Sequence, residues 1–573
     1  MMRVEQLMVK NFRGIKHLEW KLMAQSICCL IGVGDSAKTT VLDAVEAALS
    51  PRWMTFNEAD FHHANTAEDI EVEVTIGELS RALLSDGRFG LYLRGLSVEG
   101  QLNDEPGDTD DPVLTVRLSV DATMEPVWSL VCDRYPVPRI LSNRDKAMFC
   151  LVRLAGDEAR HLTWAQGSVL SKMTEANDET AQMLANAYRS ARQSADLGSI
   201  PELARAAISA ETAARSLGIY INESYKPDLE LGRGGFSSGS IALHDGSVPL
   251  RLAGLGTRRL ATLAVQRSAI SEGAIVLVDE IEQGLEPHRI LGAMAQLKRW
   301  QKEAENAHLA KGQILMTTHS DVVLAELPAP SLFIVSRSSG AVSDIKHALA
   351  SGDISRVLRG APRALFARRI LLCEGATELG LMLGIREHYP DRHGGVPIEQ
   401  LGSAIIDGGG SAGPSLALAL RALGYHVGLF RDSDRKLDAH FATKLQTQGV
   451  RVIEYGGELN TERAVFQSAI NTQIDSLLDL VAGFISKPTL MDHLGKGFPE
   501  IDVTESFDEW DLAVDHENLR FRMSNLAAEK SWFKTAERGR ALSPIVVEIL
   551  NGSPASAIGL CFNTVENWLY GNA

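Results

Sequence analysis

The sequence predicts an α/β protein made of two doubly wound units that follow one another along the chain. The first indication is IGVGDSAKTT at residues 31–40, a glycine-rich turn between an apolar run and a helical pattern. This is the layout of a loop that binds phosphate. The second indication is a series of four apolar runs after residue 360, which alternate with helical patterns. Three of these runs end in acidic residues. Such alternation is typical of a parallel sheet.

Length and composition are those of a multidomain globular protein. The chain has 573 residues, which corresponds to roughly three to four domains. No apolar run reaches the roughly 18–20 residues needed to cross a bilayer, and the N-terminus lacks the apolar core of a signal peptide. The six cysteines show no metal-ligand spacing. The sequence therefore predicts a cytoplasmic protein with reduced thiols and no membrane partner.

The charge balance is acidic. With 57 Lys and Arg against 73 Asp and Glu, the formal net charge is −16. This is mild evidence against a nucleic-acid partner, because phosphate contacts need basic side chains. A local basic face can coexist with a negative total, however, and acidic metal sites add to the negative count.

The glycine-rich turn fits a phosphate-binding loop imperfectly. Gly32, Lys38 and Thr39 match the pattern GxxxxGK[ST], whereas Ala37 stands where the second glycine belongs. The alternative is a glycine turn that opens an ordinary helix. If the loop binds nucleotide, the expected contacts are Gly32, Gly34, Asp35, Ser36, Lys38, Thr39 and Thr40.

Two later strands end in residues suited to nucleotide chemistry. The apolar run 274–278 ends in Asp279 and Glu280, and the run 313–317 precedes His319. Asp279 can hold the Mg²⁺ shell together with Thr39, Glu280 can orient or deprotonate water, and His319 can contact the terminal phosphate. Taken singly, a strand end in solvent and a loop histidine are commonplace. Their common order along the chain favours the nucleotide interpretation.

The second unit places carboxylates at the ends of its predicted strands. Glu374, Asp407, Asp432 and Asp434 follow three apolar runs, and Glu378 lies four residues after Glu374. Ligands in open parallel sheets collect at the carboxyl ends of strands. Clustered carboxylates repel one another unless cations lie between them. Oxygen ligands of this kind suit Mg²⁺ or Mn²⁺, and a pair of such ions clamps a phosphodiester for in-line attack.

The order of motifs in the first unit resembles the ATPase head of the ABC, SMC and RecF class. The signature helix of that class would correspond to residues 253–258, where only the small residues match. The resemblance implies that two heads sandwich ATP with Mg²⁺ in a homodimer or higher homo-oligomer. It also implies a dimerisation element in the Ala-, Arg- and Leu-rich helical stretch 147–225, between head segments 1–146 and 226–345.

The second unit has a predicted strand that ends in the motif EGxxE, at Glu374–Glu378. About 55 residues later, another predicted strand ends in the motif DxD, at Asp432–Asp434. This spacing resembles that of the Toprim domain. An ABC-type head joined to a C-terminal Toprim domain, here 360–573, resembles the OLD (overcoming lysogenization defect) family, including Gabija-like nucleases. The resemblance implies that the metal ligands are Glu374, Glu378, Asp432, Asp434 and a later acid, Glu462 or, alternatively, Glu458. The expected catalytic residues are Glu374, Asp432, Asp434, Glu280 and a late lysine, Lys534 or, alternatively, Lys496.

These features predict an ATP-regulated, metal-dependent DNA endonuclease or nickase in anti-phage defence, with a partner protein of the defence system left open. Ala37, together with Asp35 where the loop of the family usually carries Asn, predicts weak nucleotide binding or slow hydrolysis. ATP can still act as a switch through occupancy. The alternatives are an SMC- or RecF-like DNA-repair ATPase without nuclease activity, and a Toprim topoisomerase, for which no segment resembles a nucleophilic-tyrosine domain.

Overall fold

The computed structural model divides the chain into two compact units, Met1–Leu349 and Ala350–Ala573. The described part of the chain runs from residue 2 to residue 571. It excludes residues 23–24, 52–53, 86, 155–161, 165–167, 169, 171–196, 230–240, 272–273, 307–311, 338–342, 349–351, 504–505, 508 and 512–515.

The first unit is rich in strands. Its strands are β1 (Arg3–Phe12), β2 (Ile15–Lys21), β3 (Ile27–Ile31), β4 (Ile70–Gly77), β5 (Arg94–Leu96), β6 (Leu102–Asn103), β7 (Asp111–Val120), β8 (Pro126–Cys132), β9 (Tyr135–Ile140), β10 (Leu151–Leu154), β11 (Tyr225–Leu229), β12 (Ile241–Asp245), β13 (Val248–Pro249), β14 (Ile275–Val278), β15 (Gln313–Thr317), β16 (Leu332–Arg337) and β17 (Ser343–His347). Its helices are α1 (Lys38–Leu49), α2 (Asn143–Lys146), α3 (Pro201–Ser216), α4 (Leu255–Ser271), α5 (Pro287–Asn306) and α6 (Asp321–Glu326).

Two sheets build most of this unit. One is antiparallel, in the order β2-β1-β4-β7-β5-β6, with β8 and β9 branching from β7. The other has the order β10-β14-β15-β3-β16-β17 and is parallel except for its last pair. Its central strands β3, β14 and β15 are wholly buried, as expected for strands covered on both faces. The carboxyl ends of these three strands therefore lie at one edge of the sheet.

The stretch expected to be a helical insert is only partly described. Residues 171–196 and several shorter segments of 147–225 lie outside the described residues. Helix α3 has the expected helical character, but residues 151–154 form β10 and pair in parallel with β14. This short run joins the sheet because a strand buries Leu151 and Val152 beside the core strands. The dimerisation role of the stretch stays a prediction.

The second unit is a parallel α/β domain. Its strands are β18 (Arg369–Cys373), β19 (Ser403–Asp407), β20 (His426–Arg431) and β21 (Arg451–Glu454), in the sheet order β19-β18-β20-β21. Its helices are α7 (Gly352–Gly360), α8 (Ala376–Ile385), α9 (Tyr389–Arg392), α10 (Gly413–Ala422), α11 (Ala439–Thr447), α12 (Thr461–Ser468), α13 (Asn471–Ile485), α14 (Lys487–Gly497), α15 (His516–Lys530), α16 (Ala536–Ala541), α17 (Ser543–Gly552) and α18 (Ala557–Tyr570). The predicted α/β class is confirmed.

Membrane-spanning helices are not found in the described residues. No single helix there is long and apolar enough to cross a bilayer. Helices α17 and α18 pass a test of length and apolar composition only as a pair, and they are bent by 100° relative to each other.

Glycines allow α16 to pack closely on α8. A Cβ atom at Gly380 would overlap the carbonyl oxygen of Ala536, and one at Gly539 would overlap that of Thr377. The Thr377 hydroxyl also donates a 2.9 Å hydrogen bond to the carbonyl of Phe533. These contacts fix the loop before α16 against the first turn of α8, which directly follows β18.

The Gly380→Ala substitution should therefore destabilise the second unit. We expect it to lower the free energy of unfolding by about 1–3 kcal/mol, since an added methyl group must push α16 away. Gly483 is the matched control because it lies in α13 with open space where a Cβ would stand. Gly483→Ala should instead stabilise the protein by up to about 1 kcal/mol. Denaturant titration measures both changes, and equal effects would contradict the packing role of Gly380.

Candidate functional site

The turn between β3 and α1 has the geometry of a phosphate-binding loop. Gly32 has a φ of +150°, and a Cβ there would overlap the carbonyl oxygen of Val335. Lys38 begins α1 and is 5% exposed. Its Nζ donates hydrogen bonds to the carbonyls of Gly32 (3.1 Å) and Val33 (3.0 Å) and to Ser36 Oγ (3.3 Å). Burial lowers the pKa of Lys38, and the nearby carboxylates of Asp35, Glu280 and Asp279 oppose that shift.

Two residues of this loop adopt a left-handed backbone. Ala37 has a φ of +71° and Asp35 a φ of +60°. This conformation costs a residue with a Cβ roughly 1–2 kcal/mol, whereas glycine adopts it freely. The glycine missing from the sequence pattern is therefore missing where the backbone requires one, so the loop stores torsional strain.

Asp279 links the loop to the neighbouring strands. Its Oδ1 accepts hydrogen bonds from Thr39 Oγ1 (3.2 Å) and Thr317 Oγ1 (2.6 Å). Thr317 Oγ1 also accepts a 2.8 Å hydrogen bond from the backbone N–H of Glu280, whose φ is +46°. The structure thus brings together Thr39 and Asp279, which were expected to share a Mg²⁺ ion.

A cavity of about 370 Å³ opens above the loop. Most of the predicted nucleotide contacts line it, including Glu280 and the exposed His319. Gly32, Gly34 and Asp279 lie outside the lining. The lining residues are Asp35, Ser36, Ala37, Lys38, Thr39, Thr40, Glu280, His319 and Arg337.

Three arginines near this cavity were missed by the sequence analysis. Arg337 lines the cavity, and Arg259 donates hydrogen bonds to the carbonyls of Asp279 and Glu280. Arg153, on β10, forms ion pairs with Asp43 (2.6 Å) and Asp279 (3.6 Å). No local pattern marks these residues, because each reaches the site from a distant part of the chain.

Replacing Ala37 by glycine should relieve the strain in the loop. We expect Ala37→Gly to raise the free energy of unfolding of the first unit by about 1 kcal/mol, because glycine adopts a positive φ without penalty. Ala204→Gly, in the ordinary helix α3, is the control and should lower it by about 1 kcal/mol. Thermal and denaturant unfolding of both variants measures the difference. Destabilisation by Ala37→Gly would contradict the strain.

A second site lies at the carboxyl edge of the sheet in the other unit. Asp432 follows β20, Glu374 follows β18, and Glu378 lies in the first turn of α8. Thr461, at the start of α12, connects two of these acids. Its Oγ1 lies 2.7 Å from Glu378 Oε1 and 3.2 Å from Asp432 Oδ1, and its backbone N–H donates to the same Asp432 oxygen at 3.0 Å.

The acids at this edge act on one another. Burial raises the pKa of Asp432 to about 8, and the neighbouring carboxylates of Glu378, Asp434, Glu462 and Glu374 add to the shift. Burial also raises the pKa values of Glu374 and Glu462. The expected five carboxylates are therefore gathered within electrostatic reach of one another.

The donor set fits a divalent cation. Glu462 is 2% exposed, and its Oε1 is buried without a hydrogen-bond partner in the described residues. Glu374 Oε2 also accepts no hydrogen bond there, but it lies 3.3 Å from the Arg431 guanidinium. Buried oxygens without partners are costly unless a cation or donor meets them. Within the described ranges, no three carboxylate, imidazole or thiol groups form a ready-made ligand set. Binding of an ion would therefore require these carboxylates to change their side-chain rotamers.

Basic residues flank the acids. Arg431, the last residue of β20, pairs with Glu374 at 3.3 Å and also with Glu454. Lys534 is exposed and its charge lowers the pKa of Glu462, opposing the effect of burial. Lys496 instead pairs with Asp492 at 2.7 Å on the surface of α14. The structure thus brings Lys534 to the acids, through the close packing of α8 and α16.

Asp407 has a different role from the other acids. It ends β19, is exposed, and its Oδ1 accepts a 2.9 Å hydrogen bond from the backbone N–H of Gly409. The glycine turn that follows is held to the main site, since Gly410 N–H donates to the carbonyl of Glu374 at 2.7 Å. Arg356, which the sequence analysis did not single out, donates to the carbonyl of Gly408 at 2.7 Å. Asp407 therefore shapes the glycine turn.

Comparison with known families identifies both units. Residues 184–325 match the model "AAA domain, putative AbiEii toxin, Type IV TA system", and residues 365–434 match "Overcoming lysogenization defect protein-like, TOPRIM domain". The chain therefore contains a segment similar to an AAA-type ATPase domain, followed by a segment similar to an OLD-like Toprim domain. The predicted resemblance is confirmed: this is the domain order of an OLD-family ATPase–Toprim nuclease.

The other comparisons are less informative. No curated protein matches the chain. Two solved structures align with 62% of this chain and 99% of their own, each with a TM-score of 0.39. One is an Smc head bound to the C-terminal winged-helix domain of ScpA, at 16% identity. The other is an Smc head with an extended coiled coil bound to the C-terminal domain of ScpA, derived from Pyrococcus furiosus, at 13% identity. At this TM-score the likeness supports no conclusion about function.

The acids of the Toprim domain predict a pH-dependent response to metal. Asp432 has a folded pKa of about 8 against 3.8 for the ordinary group. Its stabilising contribution is therefore complete below about pH 4 and is lost as the pH rises through about 8. We expect the melting temperature of metal-free protein to fall between pH 5 and 8.5, and Mg²⁺ to raise it more at pH 8.5 than at pH 5. In Asp432→Asn both effects should shrink, and an Mg²⁺ response independent of pH would contradict the assignment.

Proposed function

We propose that this protein is an ATP-regulated, divalent-metal-dependent DNA endonuclease or nickase that acts in anti-phage defence as a homodimer or higher homo-oligomer. The observation that supports the nuclease most directly is the gathering of Glu374, Glu378, Asp432, Asp434 and Glu462 at one strand edge. Among the described residues, Glu462 keeps a buried oxygen, Oε1, that has no hydrogen-bond partner.

Mg²⁺ or Mn²⁺ held by these acids would activate water and stabilise charge on the phosphate. The side chains of the chain itself have distinct parts in this scheme. Thr461 holds Glu378 and Asp432 together, and Arg431 holds Glu374 towards the cluster. Lys534 supplies a positive charge beside Glu462 that would stabilise charge on the scissile phosphate.

The ATPase head acts in this proposal as a switch. Its cavity is lined by Lys38, Thr39, Glu280 and His319, which suits a nucleotide triphosphate with Mg²⁺. The strained positions Asp35 and Ala37, and the hydrogen bonds of Lys38 to its own loop, support weak binding and slow turnover. Occupancy can bias a nuclease without fast hydrolysis.

Plasmid cleavage tests the nuclease. Supercoiled plasmid is incubated with the full chain and Mg²⁺ or Mn²⁺, with and without ATP, and nicked and linear products are measured. We expect Asp432→Ala to abolish cutting and Lys534→Ala to reduce it about 10²–10³-fold, since Lys534 stabilises developing charge. Lys496→Ala is the matched control and should cut at the wild-type rate, because Lys496 pairs with Asp492 on the surface.

Each outcome of the cleavage assay tests a different part of the proposal. If the wild type cuts no DNA under any condition, the nuclease proposal is wrong. If Asp432→Ala cuts at the wild-type rate, the site is wrong. Equal losses in Lys534→Ala and Lys496→Ala would contradict the assignment of Lys534, and identical rates with and without ATP would contradict the switch.

A further inference from the structure

A cavity of about 570 Å³ lies on the Toprim domain beside the turn that contains Asp432 and Asp434. Its walls come from this turn, from α11 and from β21. The turn supplies Ser433, Arg435 and Lys436, the helix supplies Gln446, and the strand supplies Arg451. The volume is within the range of about 300–1,000 Å³ that is typical of ligand pockets.

The charge of the lining is positive, although the whole chain has a net charge of −16. Arg431 is neutralised by Glu454, and Lys436 lies 3.5 Å from Glu458. After these pairs, Arg435 and Arg451 remain. Both are exposed, and neither side chain has an ion pair or hydrogen bond to the described part of the chain. Two unneutralised guanidinium groups at one cavity suit an oxyanion that can accept paired hydrogen bonds, such as a phosphate.

The remaining wall is apolar. The cavity is also lined by Leu437, Val450, Val452 and the buried Tyr455. An inorganic ion needs no such surface. A ligand with a phosphate at one end and an apolar ring system at the other uses both halves, and a nucleotide is such a ligand.

We propose that this cavity binds a nucleoside phosphate, which in the nuclease is a nucleotide that flanks the bond to be cut. This form of the proposal rests on the proposed function. Arg435 directly follows Asp434, so one turn presents an acid to the metal site and a cation to a neighbouring phosphate of the same strand. A free nucleotide has the same chemistry and is the second source to be tested.

The cavity is also connected to the catalytic acids. Arg431 lines it and pairs with both Glu454, another lining residue, and Glu374, a proposed metal ligand. An anion beside Arg431 would compete for its guanidinium and weaken its hold on Glu374. Occupation of the cavity would thereby change the charge balance at the metal site.

Binding of DNA to the full chain tests whether the cavity takes a nucleotide of a DNA strand. A fluorescent single-stranded oligonucleotide is titrated in Ca²⁺ at several salt concentrations, for the wild type, Arg435→Ala/Arg451→Ala and the control Lys444→Ala. Lys444 is an exposed cation of α11 outside the cavity lining. We expect the double variant to bind at least about tenfold more weakly and its salt slope to fall by about 0.7, the value for one phosphate contact. Lys444→Ala should bind as the wild type does.

The variant Arg435→Lys/Arg451→Lys keeps both positive charges and therefore controls for a change in structure. It should recover part of the affinity for the oligonucleotide. Binding of dTMP, measured by calorimetry in a Lys38→Ala background that disables the loop of the head, tests the free-nucleotide source. If the double variant loses only dTMP binding, the cavity takes free nucleotide. If it loses DNA binding, the cavity takes the strand.

Unchanged binding of both ligands in the double variant would overturn the proposal. So would equal losses in the double variant and in Lys444→Ala. A wild type that binds DNA through Arg435 and Arg451 but cuts none would refute the proposed nuclease and leave the cavity assignment intact, so the two failures are distinguishable.

Discussion

Carboxylates that are buried beside one another are the constraint on which the proposed chemistry of the Toprim domain depends. Four of the five acids lose hydration when the domain folds, whereas Asp434 stays exposed. The acids also face the charge of one another, so the ionised cluster is unstable without a cation. The raised pKa of Asp432 shows this cost. Thr461 can give its single proton to only one of Glu378 and Asp432 at a time, so it relieves the cluster only in part.

The surrounding fold is arranged to hold this cluster. The parallel strands β18 and β20 end at it, and the glycine-mediated packing of α16 on α8 brings Lys534 to it from a distant part of the sequence. Arg431 provides a second positive charge from within the sheet. These cations lower the repulsion, but Glu462 Oε1 still has no hydrogen-bond partner among the described residues, and it remains suited to a metal ion.

Local patterns in the sequence predicted much of this. The run at 369–373 forms β18 with the predicted bounds, because a buried parallel strand needs continuous apolar residues, and its acidic end then marks the site. Residues brought in by tertiary packing were not predictable in this way. Contacts with distant segments determine the ion pairs of Arg153 and Arg431. Such contacts also determine the packing role of Gly380. Residues 151–154 have a short apolar pattern that fits either a helix or a strand. Pairing with the neighbouring β14 makes them a strand. Ala37 was expected to weaken nucleotide binding or slow hydrolysis, and the structure shows that its side chain has a cost in the backbone torsion.

Counting the Mn²⁺ ions bound to nucleotide-free protein tests the central claim most directly. Electron paramagnetic resonance at pH 8 distinguishes bound from free Mn²⁺, and without ATP the head lacks the phosphate oxygens that would complete the proposed metal site at Thr39 and Asp279. The acids of the Toprim domain should bind Mn²⁺ in the wild type, and Asp432→Asn should lose that binding while keeping its fold. If the wild type binds no Mn²⁺, or if Asp432→Asn binds as much as the wild type, the acid cluster is not a metal site.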